Sequence, residues 1–201
     1  DDWRNRYYTP IKDHLPKKYR AKYDALAIKY GTPPEDTGEI ISWNGGKSPL
    51  SKEELTGMSA EDTVQYFAAY KTPDDPFERH SSNSLGMVFA EMVKDNPQKY
   101  VSAISLFKEK KLRPIYFYNF IRGLKESLQN GGQFQWEPVV NLCHDLIFQE
   151  NLVSTPAHQD EQDWRTVRQT IADFMGDALG RGDNNPPVSL QEKVWDIISE
   201  L

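Results

Sequence analysis

Residues 84–150 read SLGMVFAEMVKDNPQKYVSAISLFKEKKLRPIYFYNFIRGLKESLQNGGQFQWEPVVNLCHDLIFQE, and this stretch decides the fold. Leu85, Val88, Phe89 and Met92 recur at i, i+3, i+4 and i+7, the spacing that lines one face of an α-helix. Pro97 follows the Asp95-Asn96 break and opens the next helix, where a missing N–H costs nothing. That helix carries Tyr100, Val101, Ile104 and Phe107, and Lys108 to Lys111 lie at its C-terminal end, where the helix dipole favours cations. Pro114 opens a third helix with the stripe Phe117, Phe120, Ile121, Leu124 and Leu128, stopped by Asn130-Gly131-Gly132. A fourth begins near Trp136 and Pro138. Its stripe is Val139, Leu142, Cys143 and Leu146, and a second line runs through Val140 and Ile147. A helix apolar on two sides is flanked by neighbours on both.

The connections between these helices are short enough that consecutive helices are expected to fold back as antiparallel hairpins. Hairpins repeated in this way, with middle helices apolar on two faces, resemble the HEAT/armadillo class of α-solenoids, and the likeness is architectural and covers residues 84–201. It implies an all-α fold of hairpins stacked as an α-α superhelix. It also implies an extended surface suited to binding other proteins.

Working outward, residues 1–83 are expected to form an irregular helical extension packed on the repeats. Leu15-Pro16 begins a helix with Tyr19, Tyr23, Leu26 and Tyr30 on one face, ended by Gly31; a packing role for the tyrosine rings is the plainer reading beside a binding ridge. Residues 31–50 form a Gly/Pro-rich loop interrupted by Ile40, Ile41 and Trp43. Within it Trp43-Asn44-Gly45-Gly46-Lys47-Ser48 gathers Gly, Lys and Ser, but it lacks the first glycine and the preceding strand of a phosphate loop. Ser51 with Glu54 is a capping box, and Ser59 with Asp62 marks a second helix start, followed by Val64, Phe67 and Ala68. Residues 71–83 break the pattern and lead into the repeats. Beyond Gln149 a polar loop, Asn151 to Asp163, precedes the cleanest period in the chain, Trp164, Val167, Ile171, Phe174, Met175 and Ala178, closed by Gly180 and Gly182. The last helix carries Leu190, Val194, Ile197, Ile198 and Leu201. No segment alternates at period two, so no sheet is expected.

A chain of 201 residues can bury one sizeable core. Its aromatic content of 12% and hydrophobic content of 38% argue against disorder. The net charge of −6 disfavours nonspecific association with nucleic acid or anionic membrane. No apolar run reaches the length of a membrane span, and no signal-peptide pattern opens the chain. The single cysteine rules out an intrachain disulfide and fits a reducing compartment. The start at Asp1 without Met, and the end at Leu201 inside an amphipathic pattern, point to a piece of a longer protein.

The side chains that carry chemistry are sparse. His14, His80, His144 and His158 have no second ligand at i+3 or i+4, as a helical metal site needs. Cys143 and His144 are adjacent, and neighbours on a helix point about 100° apart, so they do not form a dyad. Cys143 reads as a small buried hydrophobe. The acidic loop from His158 to Asp163 lacks the ligand order and glycine of a calcium loop, and Asp163 reads as a helix cap. Arg113, Arg122, Arg165, Arg168 and Arg181 are candidate surface cations. No catalytic, cofactor-binding or metal-binding residue is assigned, and no cofactor. The expected function is a non-catalytic protein-interaction or scaffold module of a larger cytoplasmic, bacterial protein. Its partner is another protein or a neighbouring domain of the same chain, and neither membrane nor nucleic acid is expected. The alternative is a helical-cleft enzyme or nucleic-acid-binding protein of the HEAT-like class. A basic cleft holding a buried carboxylate would favour that alternative, and an apolar or mixed groove the module.

Overall fold

A computed structural model describes residues 17–31, 47–72, 80–148, 163–180 and 185–200. Among these residues there are ten helices and no β-strand, apart from an isolated bridge between Lys47 and His80. The helices are α1 (Lys17–Tyr30), α2 (Lys52–Gly57), α3 (Ala60–Ala69), α4 (Ser82–Asp95), α5 (Pro97–Val101), α6 (Ile104–Glu109), α7 (Pro114–Gln129), α8 (Trp136–Phe148), α9 (Trp164–Gly180) and α10 (Val188–Ser199). None is long and apolar enough to cross a membrane. The chain divides into two compact units, residues 1–44 and 45–201. The first contains α1, in which Tyr23 is buried and Leu26 half-buried. Gly31 ends that helix at φ 79°, a conformation glycine adopts without penalty. The side chains of Tyr19 and Tyr30 lie outside the described residues.

In the second unit the helix starts form as their residues dictate. Ser51 accepts from the Glu54 amide at 3.2 Å, and the Glu54 carboxylate accepts from the Ser51 amide at 2.7 Å, closing the capping box. Ser59 Oγ accepts from the Asp62 amide at 3.0 Å and donates to its carboxylate at 2.8 Å. Ser59→Ala should lower stability by about 1 kcal/mol, read from the urea midpoint, because both partners lose their bond at the start of α3. Asp163 caps α9 by accepting from the Thr166 amide and hydroxyl, both at 2.9 Å. Those bonds hold its carboxyl below the usual carboxylate range.

The stripes face inward as the spacing predicts. Leu85, Phe89 and Met92 of α4, the five stripe residues of α7, and both lines of α8 are buried in one core. That core also takes Leu55 of α2 and Val64 and Phe67 of α3, so α2 and α3 share it with the helices after residue 80. Two features differ from the spacing-based expectation. The set Tyr100, Val101, Ile104, Phe107 is buried, but the backbone turns at Ser102-Ala103, so two short helices replace one. The most extensive pairings also join helices two or three apart in sequence: α4 with α7, α7 with α9, and α8 with α10. The short α5 and α6 intervene between α4 and α7 and leave these two long helices free to pair.

The α4–α7 contact is unusually close. An added Cβ at Gly123 of α7 would sit 2.5 Å from the Ala90 carbonyl oxygen and 2.7 Å from Val93 Cβ, both on α4. At Gly86 of α4 an added Cβ would meet the side-chain amide of Asn119 on α7. Each helix thus offers a glycine where the other presses nearest. Asn119 is fully buried, and its amide donates to the Ile115 carbonyl at 2.8 Å.

Candidate functional site

The sequence's candidates fall into place one at a time and do not converge. Cys143 is wholly buried on α8, and burial pushes its thiol far up from the ordinary value, so the thiolate needed for nucleophilic chemistry is suppressed. Cys143→Ala should therefore cost on the order of 1 kcal/mol of stability through lost buried volume. The native thiol should react slowly with a thiol reagent and quickly in denaturant. His144, next to it, is half-buried; its Nδ1 lies 3.8 Å from Asp145, and its ring lies 4.5 Å from that of Phe148. His14 and His158, residues 43–46 of the glycine-rich hexapeptide and Arg181 lie outside the described residues. Lys47 and Ser48 of that hexapeptide are described, and the Ser48 hydroxyl donates to the Leu50 carbonyl at 2.5 Å, a turn contact. Arg122 pairs with Glu126 at 2.9 Å along α7, and Arg165 is exposed on α9. Among the described residues no three of His, Cys, Asp and Glu gather closely enough to hold a metal ion.

Arg113 is different. It stands at the N-cap of α7, but its side chain makes no cap bond to that helix's amides. Its Nη2 instead donates to the carbonyl of Tyr70, the C-cap of α3, at 3.2 Å, to Ser82 Oγ at the start of α4 at 2.5 Å, and to the Tyr116 hydroxyl at 3.3 Å. Its guanidinium lies 5.5 Å from the centre of the Tyr116 ring, and that ring stacks on Phe67 with centroids 4.7 Å apart and planes 4° off parallel. Thr72 bonds Ser82 at 2.7 Å. One arginine thus ties together the ends of three helices, each contact adding a charge-assisted bond or a cation–π contact.

These ties shape an open cleft of about 290 Å³, lined by Phe67, Ala68, Tyr70, Lys71, Thr72, Lys111 and Arg113. Three of the seven are cations, two are aromatic, and none is acidic. The ion pairs found among the described residues lie elsewhere: Lys52 with Glu91 and Asp95, Lys108 with Asp145, Lys110 with Glu109, Arg122 with Glu126, Lys125 with Asp177. None of them takes Lys71 or Lys111. The setting of Lys111 is also unusual. The bonds from the Leu112 amide to the Phe107 carbonyl and from the Lys111 amide to the Lys108 carbonyl, each 3.1 Å, close α6 in a Schellman turn. Lys111 occupies the left-handed position of that turn, at φ 51°, where glycine is the usual residue.

The signals for this cleft were present but scattered. Lys111 reads as part of a dipole-complementing run and Arg113 as one surface arginine among five, while Lys71 sits in a breaker segment with no pattern. Only the docking of α3 beside the α6–α7 turn brings the three together. No protein-family model matches the chain, and neither a curated protein nor a solved structure matches it. The class that fold and site define is thus an all-helical protein with a basic cleft backed by aromatic rings.

Proposed function

We propose that the chain is a non-catalytic protein-interaction module whose helices stack as a HEAT-like superhelix, working in a reducing, cytoplasmic setting. The contacts of α7 with α9 and of α8 with α10 support the architecture, since stacked layers pair helices two apart in sequence. The single observation that carries the function is the composition of the cleft. Its described lining offers a ligand the exposed Lys71 and Lys111 beside the half-buried Tyr70, and no carboxylate, imidazole or thiol that would move a proton or attack a bond. The enzyme reading needs such a group beside the cations.

The test is a photo-reactive amino acid placed at Lys71, with a control at the exposed Ser199 of α10. The expected result is a discrete protein adduct from position 71 alone. The captured protein, purified, should bind the unmodified chain, and the Lys71→Glu/Lys111→Glu double variant should lose that binding. Cross-linking to nucleic acid, or a captured protein that fails to bind once purified, would overturn the proposal.

A further inference from the structure

We infer that α2 is a latched strap: residues 51–58 leave the body of the second unit together while the rest of that unit stays folded. Two lysine contacts are its latches, and Leu55 is the plug by which it covers one spot of the core.

The first observation is how little of the segment is held by burial. Of residues 51–58 only Leu55 is buried; Lys52 and Met58 are half-buried and the others exposed. In α7, by contrast, ten of sixteen residues are buried. A helix of six residues is too short to persist alone in water, so α2 keeps its turns only while docked.

The second is the nature of the remaining contacts, which lie on either side of Leu55 in sequence. Before it, Lys52 Nζ stands 2.7 Å from the carboxylate of Asp95 and 3.5 Å from that of Glu91, both on α4. After it, Lys99 Nζ of α5 donates to the carbonyls of Thr56 at 3.1 Å and Met58 at 2.7 Å. That is the C-terminal end of α2, where the helix dipole also favours a cation. The latches differ in strength. The two carboxylates facing Lys52 are about half exposed, and water and salt screen such pairs. The Lys99 ammonium serves two carbonyls at once through charge-assisted bonds. One buried leucine and two lysine contacts are a fraction of what holds the whole unit together, so the strap opens at lower cost than the fold.

The third is that both ends are fixed and a hinge lies between them. Upstream, the Lys47 carbonyl accepts from the Ser81 amide at 3.3 Å. Downstream, α3 is rooted in the core by Val64 and Phe67. Gly57 is exposed, and an added Cβ there would meet nothing within 4 Å. Glycine at such a place absorbs the change in φ and ψ that opening demands. The open strap thus stays tethered and docks again, baring and re-covering the spot that Leu55 fills.

Native-state amide hydrogen exchange of the whole chain, read by NMR, tests this. The strap reporters are the amides of Leu55 and Met58, which donate to the carbonyls of Ser51 and Leu55, each at 3.1 Å. The core reporters are the amides of Phe120 and Leu124 in α7. The strap amides should exchange at least about a hundredfold faster than the α7 pair, with little dependence on dilute urea, because the opening exposes little surface.

Three variants separate a strap from unfolding of the whole unit. Ile171→Val trims a fully buried side chain of α9 that stays packed while the strap is open. It should speed the α7 amides by about fivefold and leave the strap amides unchanged. Lys99→Met removes a contact that both openings break, so it should speed both sets, by about tenfold. Lys52→Met, which removes a screened pair, should have the smaller effect. Strap amides that exchange as slowly as the α7 pair, or that speed up in Ile171→Val, would show that α2 opens only with the whole unit and would overturn the proposal. So would strap amides that exchange like those of an unstructured peptide, or that are indifferent to Lys99→Met.

Discussion

Phe89→Ala should cost 3 to 5 kcal/mol, roughly the range for removing a fully buried phenylalanine, out of a total that for a domain of this size is on the order of 5 to 15 kcal/mol. Phe89 is wholly buried on α4, and its ring meets four others. Phe67 of α3 stands edge-on with centroids 4.8 Å apart, and Tyr100 of α5 at 5.3 Å and 90°. Phe107 of α6 lies at 6.2 Å and Phe120 of α7 at 6.3 Å. One side chain therefore joins five helices. Edge-to-face pairs of this kind add to the area term, and removing the ring leaves a cavity whose walls belong to five separate elements. Because those elements also pack on other partners, they cannot all close in on the gap. Urea unfolding should show a lower midpoint with an unchanged slope. Phe89→Leu, which refills most of the volume, should lose less than half as much. A loss below about 1.5 kcal/mol for the alanine variant would show that the site collapses, and that the hub is less rigid than its ring contacts imply.

The residues that make this hub were legible in the sequence because burial follows period. Leu85, Phe89, Phe120, Leu124, Val139 and Ile171 sit at helical spacing, and each is completely buried. The caps at Ser51, Ser59 and Asp163 were legible for a similar reason, since a hydroxyl or carboxylate can reach an orphan amide two or three residues on without help from the rest of the fold. The break at Ser102-Ala103 was not legible. The apolar spacing runs through it unbroken, and neither residue is a helix breaker. Which helices pair was hidden too. A stripe records that a face is covered but not by what, so short connections favoured neighbours in sequence, whereas α4 found α7. The cleft was the least legible feature. Lys71 and Arg113 are far apart in the chain, and a cation on a surface leaves no periodic trace until a second helix is placed beside it.

Gly123 is the exception, a single residue whose tertiary contact is written in the sequence. It stands between Ile121 and Leu124 in the middle of α7, where glycine costs about 1 kcal/mol against alanine. A glycine kept there at that cost implies that a neighbour occupies the space of a side chain. The neighbour is α4: the Ala90 carbonyl oxygen and Val93 Cβ lie within 2.7 Å of where the Cβ of any larger residue must go. Neither atom is the end of a flexible chain. One belongs to the α4 backbone and the other is fixed to it, so relief requires the helices to separate. Gly123→Leu should then destabilise by about 3 kcal/mol or more, the upper part of the range for overpacking a core, because it opens the most extensive helix pair of the fold. Gly123→Ala sets the two effects against each other. It gains the helix propensity and meets the same two atoms, and the clash should win, leaving a net loss of about 1 kcal/mol or more. Gly86→Ala, which meets the side-chain end of Asn119 and not backbone, should cost less than Gly123→Ala. Thermal and urea unfolding of the three variants test the order. If Gly123→Leu were as stable as the parent, or Gly123→Ala more stable, then α4 and α7 would stand further apart than this packing requires, and the paired glycines would need another explanation.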